Sequence, residues 1–472
     1  MPLLVLDRRK RASLQTQLSG GLKNLVRTRI LQPGQTIPST RELARDLHIS
    51  RNTVIQAYDR LIGEGFLESS PRRGVRVSES VALLSPRPPV PASPRMNGSR
   101  DEIGPPKPFQ PCQPDVRLFP LAMWNRMRTR ALKRAGADLL GYQSHLPLGL
   151  PALRRALAVY LRESRGVHCD WRQIAITSGS QLALFLLAQL LLSTKSRVVM
   201  EDPGYRGARA AWQHAGARID PQPVDSAGMT IPRATPADLI YTTPSRQFPT
   251  GACLSLGRRL ALVELAARCK AWIVEDDYDS EFRYTRPPLP SLQSLDTSRR
   301  VIYTGSMSKV LLPALRIGYV VLPAALVEGF SVLRGTLDDH GPLIDQAALA
   351  EFIDSGAFYR HIRRSRSAYA ERLETFVESV SRIGLPLTFP HTDGGMNLAG
   401  FLDPAASDRQ YSTRLSDRGI EAPPLSLYSL RSTRPGLLFG FTAFTPQTIR
   451  QRLNALAISG AAYSSNSDSN RR

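Results

Sequence analysis

The sequence predicts two folding units of different class, a small α+β unit followed by a larger α/β unit. Three helical hydrophobic patterns and two short strand-like segments come first, whereas strand and helix patterns alternate in the rest of the chain. A proline-rich stretch separates the two regions, and 472 residues are too many for one ordinary core. The predicted divisions are a first unit at 12–78, a linker at 79–111, a second unit at 112–460 and a disordered Ser- and Asn-rich tail at 461–472.

Composition restricts the classes of partner and compartment. The formal net charge of +22 and the pI near 10.5 predict a polyanionic partner, most simply nucleic acid, although an arginine-rich composition can also reflect base usage in the coding DNA. No apolar run is long enough to span a membrane, so we expect no membrane partner. The four cysteines have no paired spacing, which argues against a disulfide framework or a zinc site and favours a cytoplasmic location.

The first unit contains three helical patterns in quick succession, from Leu14 to Ile30, Ser39 to Leu47 and Ser50 to about Glu64. In the second pattern, Ser39 and Glu42 have the spacing of a capping box. A turn of only two residues leads into the third pattern, whose apolar side chains share one face. The outer side near the start of the third helix is therefore polar, which is where a recognition helix contacts base edges.

Two short strand-like segments, Phe66–Glu68 and Val75–Val77, surround a basic turn and predict a wing that lies along a phosphate backbone. The alternative is a small helical domain with ordinary solvated arginines, but helix order, capping and wing all agree. The side chains predicted to contact DNA are Arg41, Ser50, Arg51, Asn52, Thr53, Gln56, Arg72 and Arg73.

The motifs of this region resemble a known family. Gln32–Gly34, Ile37–Ala44, Ser50–Val54 and Ala57–Tyr58 are similar to the winged helix-turn-helix of the GntR family of bacterial transcription regulators, over about residues 12–78. The resemblance implies that the partner is a double-stranded DNA operator, recognised as direct or inverted half-sites in the major groove.

The second unit shows strand patterns separated by helical stretches such as Gln181–Leu192 and Leu254–Cys269. Several of the strands are continuously apolar, as expected when both faces of a sheet are covered. We therefore expect an open, largely parallel sheet whose site lies at the carboxyl ends of its strands. The predicted strands are Gln173–Thr177, Arg197–Glu201, Asp238–Tyr241, Trp272–Glu275, Val301–Thr304 and Gly318–Leu322.

Two of the predicted strands are followed by residues suited to a flat, phosphorylated ligand. Ser178–Gln181 leads into an apolar helix, whose free backbone N–H groups and dipole favour a phosphate. Tyr205, after the next strand, is placed to stack on a ring. Taken alone, such a turn is more often a tight connection and such a tyrosine more often a packing residue.

Lys309 follows a strand and is accompanied by Ser306 and Arg316, a combination suited to holding an aldehyde cofactor as a Schiff base while gripping its phosphate. The carboxylates of Glu275–Glu281 follow the preceding strand. A metal site is their obvious rival, but no histidine accompanies them, and we expect no metal. Asp276 suits a pyridine nitrogen, and a solitary lysine after a strand would otherwise be a solvated residue.

Together these motifs resemble fold-type I aminotransferases, and the whole chain resembles the MocR subfamily of GntR regulators. The predicted fold is thus an α+β winged helix-turn-helix head joined to an α/β fold-type I aminotransferase-like domain. The resemblance implies pyridoxal 5′-phosphate (PLP) on Lys309, a homodimer, and regulation of transcription. It rests on Tyr142, Gly149, Leu153–Arg154, Thr177–Gln181, Glu201–Tyr205, Thr243–Ser245, Pro249–Gly251, Glu275–Tyr278, Ser308–Lys309 and Leu315–Arg316.

The resemblance also implies a role for each site residue. Arg434 lies near where related proteins bind the effector carboxylate, and Arg431 competes for this assignment. Two positions depart from the family pattern, Arg246 and Asn397, where histidine is common. The implied roles are the covalent amine for Lys309, the ring-nitrogen partner for Asp276, the ring-hydroxyl contact for Tyr278, the stacking ring for Tyr205, and phosphate contacts for Ser180, Gln181, Ser306 and Arg316.

Three functions remain open on the sequence. The first is a regulator in which an amino compound, or PLP itself, changes the large domain and repositions the DNA-binding heads. The second is a catalytically active aminotransferase whose head serves autoregulation. The third is a cofactor-free dimerisation scaffold. We rank them in that order.

Overall fold

The structure, a computed structural model, divides the chain into two compact units, Met1–Ile103 and Gly104–Arg472. Each unit is described by itself. The residues described are 4, 6–9, 12–70, 74–83, 104–232, 237–285, 289–391, 393–431 and 434–458.

The first unit is a three-helix domain with a two-stranded antiparallel ribbon, which confirms the predicted head. Each of the two later helices begins at a serine, Ser39 or Ser50, whose side chain accepts a hydrogen bond from the helix backbone. Leu18, Val54 and Ala57 are among its fully buried core residues. The elements are α1 (Leu14–Arg27), α2 (Thr40–Asp46), α3 (Arg51–Gly63), β1 (Leu67–Ser70) and β2 (Gly74–Val77).

The linker predicted at 79–111 is too long at both ends. A short 3-10 helix, Glu79–Leu83, follows the ribbon, and Val81 is buried in the core of the first unit. Phe109 is 1% exposed in the second unit, where its carbonyl accepts a hydrogen bond from the Gly440 N–H at 2.8 Å. Each end of the predicted linker contains an apolar side chain that a core can bury. The proline content of the stretch gave no indication of this burial. Residues 84–103 and the predicted tail 461–472 lie outside the described residues.

The second unit is built on an eight-stranded sheet, which confirms the predicted α/β class. Its order is β3-β10-β9-β8-β7-β4-β5-β6. The strands from β9 to β5 in that order are mutually parallel, whereas β10 is antiparallel to both neighbours and β6 is antiparallel to β5. The strands are β3 (Ile174–Thr177), β4 (Arg197–Asp202), β5 (Arg218–Asp225), β6 (Gly228–Met229), β7 (Leu239–Thr242), β8 (Trp272–Asp277), β9 (Val301–Ser306) and β10 (Gly318–Val321).

Helices cover both faces of this sheet, and apolar clusters occupy the space between. A second sheet of two antiparallel strands, β11 (Asn397–Phe401) and β12 (Gly436–Gly440), forms a separate core with the C-terminal helices. The helices are α4 (Leu121–Ala135), α5 (Pro151–Arg165), α6 (Ser180–Leu191), α7 (Arg206–His214), α8 (Leu256–Cys269), α9 (Leu292–Leu295), α10 (Met307–Val310), α11 (Ala324–Asp338), α12 (Leu343–Asp354), α13 (Ala357–Arg382), α14 (Asp408–Ser416) and α15 (Pro446–Ile458).

The parallel arrangement brings several strand ends to one edge of the large sheet. Strands β4, β7, β8 and β9 all finish there, with Asp276 paired to Thr304 of the adjacent strand. The antiparallel β10 begins where β3 ends, since Gly318 pairs with Thr177. This edge is therefore the natural place for a site. No helix of the described part of the chain is long and apolar enough to cross a membrane.

Candidate functional site

Lys309 lies at this edge, on the short helix α10 that directly follows β9. Ser306 caps the helix, because its hydroxyl accepts a hydrogen bond from the Ser308 N–H at 3.2 Å. The Lys309 side chain is half-buried, and its Nζ atom donates to the carbonyl of Cys112 at 3.2 Å. The amine is thus directed into the protein rather than into solvent.

Asp276, near the end of β8, is a buried carboxylate beside that lysine. Burial raises the pKa of Asp276 to about 7, and the Tyr241 hydroxyl and the Lys309 charge oppose this rise. The Tyr241 hydroxyl donates to Oδ2 of Asp276 at 2.7 Å. Such a carboxyl group has little solvation of its own, so a cationic partner nearby would strongly favour its ionised form.

Aromatic rings surround the space near these two groups. The ring of Phe248 meets the rings of Tyr205, Tyr278 and Tyr428 edge to face, with centroids 5.8, 5.8 and 5.3 Å apart. Burial raises the pKa of Tyr205 to about 12, so its phenol is neutral and donates to Oε1 of Gln181 at 3.2 Å. The predicted stacking ring Tyr205 and the predicted ring-hydroxyl contact Tyr278 therefore pack against a shared phenylalanine.

Groups suited to an anion converge at the start of α6. Gly179 precedes the helix with φ of +93°, and a Cβ there would lie 2.9 Å from Nη2 of Arg316. That guanidinium donates to the carbonyl of Ser178 at 3.0 Å. The hydroxyl of Ser308 is buried and has no hydrogen-bond partner among the described residues. Free N–H groups of a helix start, a hydroxyl and a guanidinium make a suitable phosphate cradle.

The side chain of Gln181 is engaged in two hydrogen bonds within the protein. Its Nε2 atom donates to the carbonyl of Gly207 at 2.9 Å, and its Oε1 atom accepts from Tyr205. Both ends of the amide are therefore engaged with the start of α7. Gln181 can contribute its backbone N–H group to the phosphate cradle, because it lies next to Ser180 in the first turn of α6.

Arg434 and Arg431 are held in different ways. The backbone N–H of Arg431 donates to Asp202 at 2.9 Å, which fixes this residue by its main chain. The guanidinium of Arg434 stacks over Phe401 at 5.0 Å and donates to Thr388 Oγ1 at 3.3 Å. Arg434 lines a cleft of about 410 Å³ together with Asp202, Thr250, His391 and Phe401. Lys309 and Asp276 are not among the residues that line it.

Arg246 and Asn397, for which the sequence predicts a departure from the family pattern near the cofactor edge or effector pocket, are in contact in the structure. Arg246 is 7% exposed and donates from Nη2 to the carbonyl of Asn397 at 2.9 Å. The same guanidinium lies 3.9 Å from Asp279 and 3.5 Å from Asp393. The side chain of Asn397 in turn bonds Cys112. Cys112 and Asn397 are 285 positions apart, so no local sequence pattern indicates that they are in contact.

The sequence gave no signal for two further residues of the site, Tyr241 and Phe248. Tyr241 faces Asp276 from the middle of an apolar strand, and Phe248 follows an irregular loop. Glu201 is also buried and accepts hydrogen bonds from Thr242, Thr243 and Gln247, so it braces the strand ends. Tyrosine and phenylalanine are common in cores, so only their contacts distinguish Tyr241 and Phe248.

In the first unit, the start of α3 presents polar side chains outward. Arg51, Asn52 and Gln56 are exposed there, as is Arg41 on α2. Ser50 caps α3, because its hydroxyl accepts a hydrogen bond from the Thr53 N–H at 3.1 Å. Ser50 and Thr53 therefore stabilise the start of the helix. Arg51 Nε donates to Thr40 at 3.4 Å. The predicted wing residues Arg72 and Arg73 lie outside the described residues.

Comparison with known proteins identifies both units. Residues 14–77 match the bacterial regulatory proteins of the gntR family, and residues 126–455 match aminotransferase class I and II. The chain is 37% identical to a probable rhizopine catabolism regulatory protein, MocR, of Rhizobium meliloti, over 96% of this chain and 95% of that protein. The chain belongs to the MocR-type regulators of the GntR family. MocR-type relatives include a pyridoxine biosynthesis regulator, PdxR, of Corynebacterium glutamicum, 32% identical over 95% of this chain and 96% of that protein.

The aminotransferase-like unit of this MocR-type chain also resembles solved enzymes. A kynurenine aminotransferase from Pyrococcus horikoshii, described in complex with PMP, superposes with a TM-score of 0.69 and 25% identity. The match covers 74% of this chain and 89% of that enzyme. Pyridoxal phosphate is the cofactor of this fold, and the site residues fit it. The buried carboxylate of Asp276 and the unpartnered hydroxyl of Ser308 are groups that a ring nitrogen and a phosphate would complete.

Proposed function

We propose that this MocR-type protein is a transcription regulator that binds a double-stranded DNA operator and carries PLP on Lys309. It responds to an amino compound, or to PLP itself, through the aminotransferase-like domain. The observation that carries the proposal is the half-buried Lys309 amine beside the buried Asp276 carboxylate, in a chain whose first unit is a winged helix-turn-helix. This arrangement has no purpose in a DNA-binding scaffold that lacks a cofactor.

Each site residue has a chemical task in this proposal. Lys309 provides the amine that bonds the cofactor. Asp276 pairs with the protonated ring nitrogen, and Tyr241 keeps that carboxylate oriented through its 2.7 Å hydrogen bond. Tyr205 packs on the ring, and Tyr278 approaches its hydroxyl. When bound, the cofactor supplies an aldehyde that reacts reversibly with amines and a ring that withdraws electrons.

The phosphate of the cofactor would be held by the cradle at α6. Ser180 and Gln181 contribute the first turn of this helix, where backbone N–H groups are free and the dipole is positive. Ser306 ends β9, Ser308 lies on the helix that follows, and Arg316 supplies a fixed positive charge. The φ of +93° at Gly179 is relevant here, since a side chain at this position would displace the arginine.

Arg434 is the better candidate of the two arginines for an effector carboxylate. Its guanidinium lines a cleft and uses one of its five N–H donors in a 3.3 Å hydrogen bond to Thr388, so donors remain for a bidentate contact. Arg431 is not among the residues that line this cleft. An amino acid bound in this way would present its carboxylate to Arg434.

A homodimer is part of the proposal. The second unit exposes apolar side chains near its beginning, with Leu121 58%, Leu140 69% and Tyr142 92% exposed. Such side chains are commonly covered by a partner. Two copies would present two α3 helices, and an effector that binds one dimer conformation more tightly would change how both heads reach their half-sites.

An active aminotransferase is the second candidate, because Lys309 and Asp276 are the groups that transamination also requires. The two functions differ in turnover. Repeated conversion of an amino acid to its keto acid, measured with a coupled assay, would favour the enzyme. A spectral change that stops after one equivalent would favour the regulator.

The test is to record the visible spectrum of the full-length protein during titration with PLP, then with GABA, taurine and other amino acids, and to measure operator affinity in the same states. We expect PLP to give an absorption band that borohydride fixes to the peptide containing Lys309. Lys309→Ala should abolish this band, whereas Lys195→Ala, an exposed turn position, should keep it. A wild-type protein that stays colourless with PLP would exclude the proposal.

A further inference from the structure

We propose that Cys112 and Asn397 form a positioning pair that holds the free amine of Lys309 and transmits its bonding state to segment 104–112. This inference rests on the proposed attachment of PLP to Lys309. The segment directly continues the chain that comes from the DNA-binding unit. The pair would therefore couple the bonding state of Lys309 to the conformation of segment 104–112, the first residues of the effector domain.

Cys112 adopts an unusual backbone conformation for its residue type. Its φ is +64°, in the left-handed region that cysteine rarely occupies. Asn397 holds it there from two sides. Oδ1 of Asn397 accepts from the Cys112 N–H at 2.6 Å, and Nδ2 donates to the Cys112 sulfur at 3.3 Å. In this conformation the Cys112 carbonyl accepts from Lys309 Nζ at 3.2 Å.

Asn397 is itself firmly held, so it can impose a conformation on Cys112. It is the first residue of β11, paired with Gly440, and is 4% exposed. Its carbonyl accepts from the buried Arg246 at 2.9 Å. The chain at Gly395 makes room for that arginine, because a Cβ there would lie 2.0 Å from Arg246 Nε. A rigid support of this kind is what positions a neighbouring group accurately.

The residues before Cys112 contact β12 and the chain at Glu421. The carbonyl of Phe109 accepts from Gly440 at 2.8 Å, and that of Pro108 accepts from the Glu421 N–H at 2.8 Å. Lys107 pairs with the Glu421 side chain at 2.8 Å. The segment thus has fixed contacts along one side, and the hydrogen bond from Lys309 to Cys112 is the contact that depends on the cofactor.

Covalent attachment of the cofactor changes this last contact. When Nζ of Lys309 bonds to an aldehyde carbon, one water molecule leaves and the nitrogen keeps at most one proton. That nitrogen can no longer donate a hydrogen bond to the Cys112 carbonyl in the way that the free amine does. A partly buried carbonyl that loses its donor is destabilised, and the left-handed turn at Cys112 loses one of its three restraints.

Hydrogen exchange of the full-length protein, with and without PLP, tests the pair. In the wild type, we expect PLP to speed exchange of the peptide that contains residues 104–112 about fivefold, the effect of losing one ordinary hydrogen bond. Asn397→Ala should exchange quickly in both states. Asn454→Ala, at an exposed position on α15, should behave as the wild type. Absorbance of the same samples shows whether Lys309 is loaded.

Two further variants separate the groups involved. Cys112→Gly keeps the main-chain N–H and carbonyl, tolerates a positive φ and removes the side chain with its hydrogen bond from Asn397, so it should still respond to PLP. Lys309→Ala should exchange quickly whether or not PLP is present. Equal exchange of residues 104–112 in loaded and unloaded wild type would overturn the inference while leaving the proposed function intact. Failure of PLP to load would instead defeat the proposed function, and the inference with it.

Discussion

Arg246 and Asn397 are hydrogen-bonded to each other, with Nη2 of Arg246 donating to the Asn397 carbonyl at 2.9 Å. At both positions the resemblance to the MocR subfamily leads us to expect histidine, so each residue is an expected departure from the family pattern. Because they are in contact and both buried, the departures form one local structure rather than two independent changes. The glycines around the guanidinium support this interpretation, since a Cβ at Gly251 would lie 2.9 Å from Arg246 Nη2.

Removing the charge of Arg246 should destabilise the second unit strongly. Arg246→Leu would leave the buried Asp279 without its nearby cation and the Asn397 carbonyl without its donor. We expect a loss of roughly 3–5 kcal/mol in the free energy of unfolding, as for other broken buried ion pairs. Denaturant unfolding of the cofactor-free protein measures this loss.

The matched control for that prediction is Arg268→Leu. Arg268 pairs with Glu264 at 3.4 Å on the surface of α8, and both side chains are mostly exposed. Exposed pairs contribute about 0–1 kcal/mol, so this variant should unfold almost like the wild type. If the two variants lost similar stability, the buried network around Arg246 would not have the importance assigned to it.

Asp276 should make the stability of the cofactor-free protein depend on pH. Its pKa is raised from 3.8 to about 7, so the folded state binds the proton more tightly than the unfolded state does. Burial of this carboxyl group therefore costs least at low pH, where the group is protonated. The free energy of unfolding decreases as pH rises toward 7. Asp276→Asn cannot ionise, and its amide oxygen can still accept from Tyr241.

The measurement is the difference in unfolding free energy between Asp276→Asn and the wild type, both free of cofactor, at several pH values. Between pH 5 and pH 7, the free energy of unfolding of the variant minus that of the wild type should increase by about 1.4 kcal/mol per pH unit. Above pH 7 this difference should stay constant. Parallel pH profiles for the two proteins would contradict a raised pKa at Asp276.

The sequence was sufficient to predict both folds and the edge at which the site lies. Lys309, Asp276 and Gly179 each follow a strand in a recognisable local pattern, so parallel pairing brings them together without any knowledge of distant contacts. The capping box of Ser39 and Glu42 was predictable for the same reason, because capping acts within one turn of a helix.

What could not be predicted depends on residues far apart in the chain. The bond from Lys309 to Cys112 joins positions separated by 197 residues, and that from Cys112 to Asn397 spans 285. The direction of a side chain also has no local sequence signal: the amide of Gln181 donates to the Gly207 carbonyl, 26 positions away. Proline content led to a linker that included Phe109, although this side chain is fully packed.

Stability of the DNA-binding unit should respond to the cap of α2. Ser39 Oγ accepts from the Glu42 N–H at 3.3 Å, and the Glu42 carboxylate accepts from the Ser39 N–H at 2.8 Å. Ser39→Ala removes the first of these and should cost about 1 kcal/mol. Thermal unfolding of the first unit within the full chain checks this, and Ser39→Asp, which can still cap the helix, should restore most of the loss.

Binding of DNA should depend on the start of α3 and not on its end. Asn52 and Arg51 are exposed in the first turn, whereas Arg60 lies near the last turn and pairs with Glu64 at 3.0 Å. We expect Asn52→Ala to weaken binding to the operator by about 1–3 kcal/mol while changing non-specific binding little, as for a base contact. The operator would be selected from a random pool with the wild-type protein.

Arg51→Ala and Arg60→Ala form a matched pair of charge removals on one helix. If Arg51 contacts a phosphate, its loss should weaken binding to all sequences and reduce the slope of log affinity against log salt by about 1. Arg60→Ala lowers the net charge equally, so it controls for long-range attraction. Equal effects of the two variants would mean that the excess positive charge attracts DNA without directing α3 into the groove.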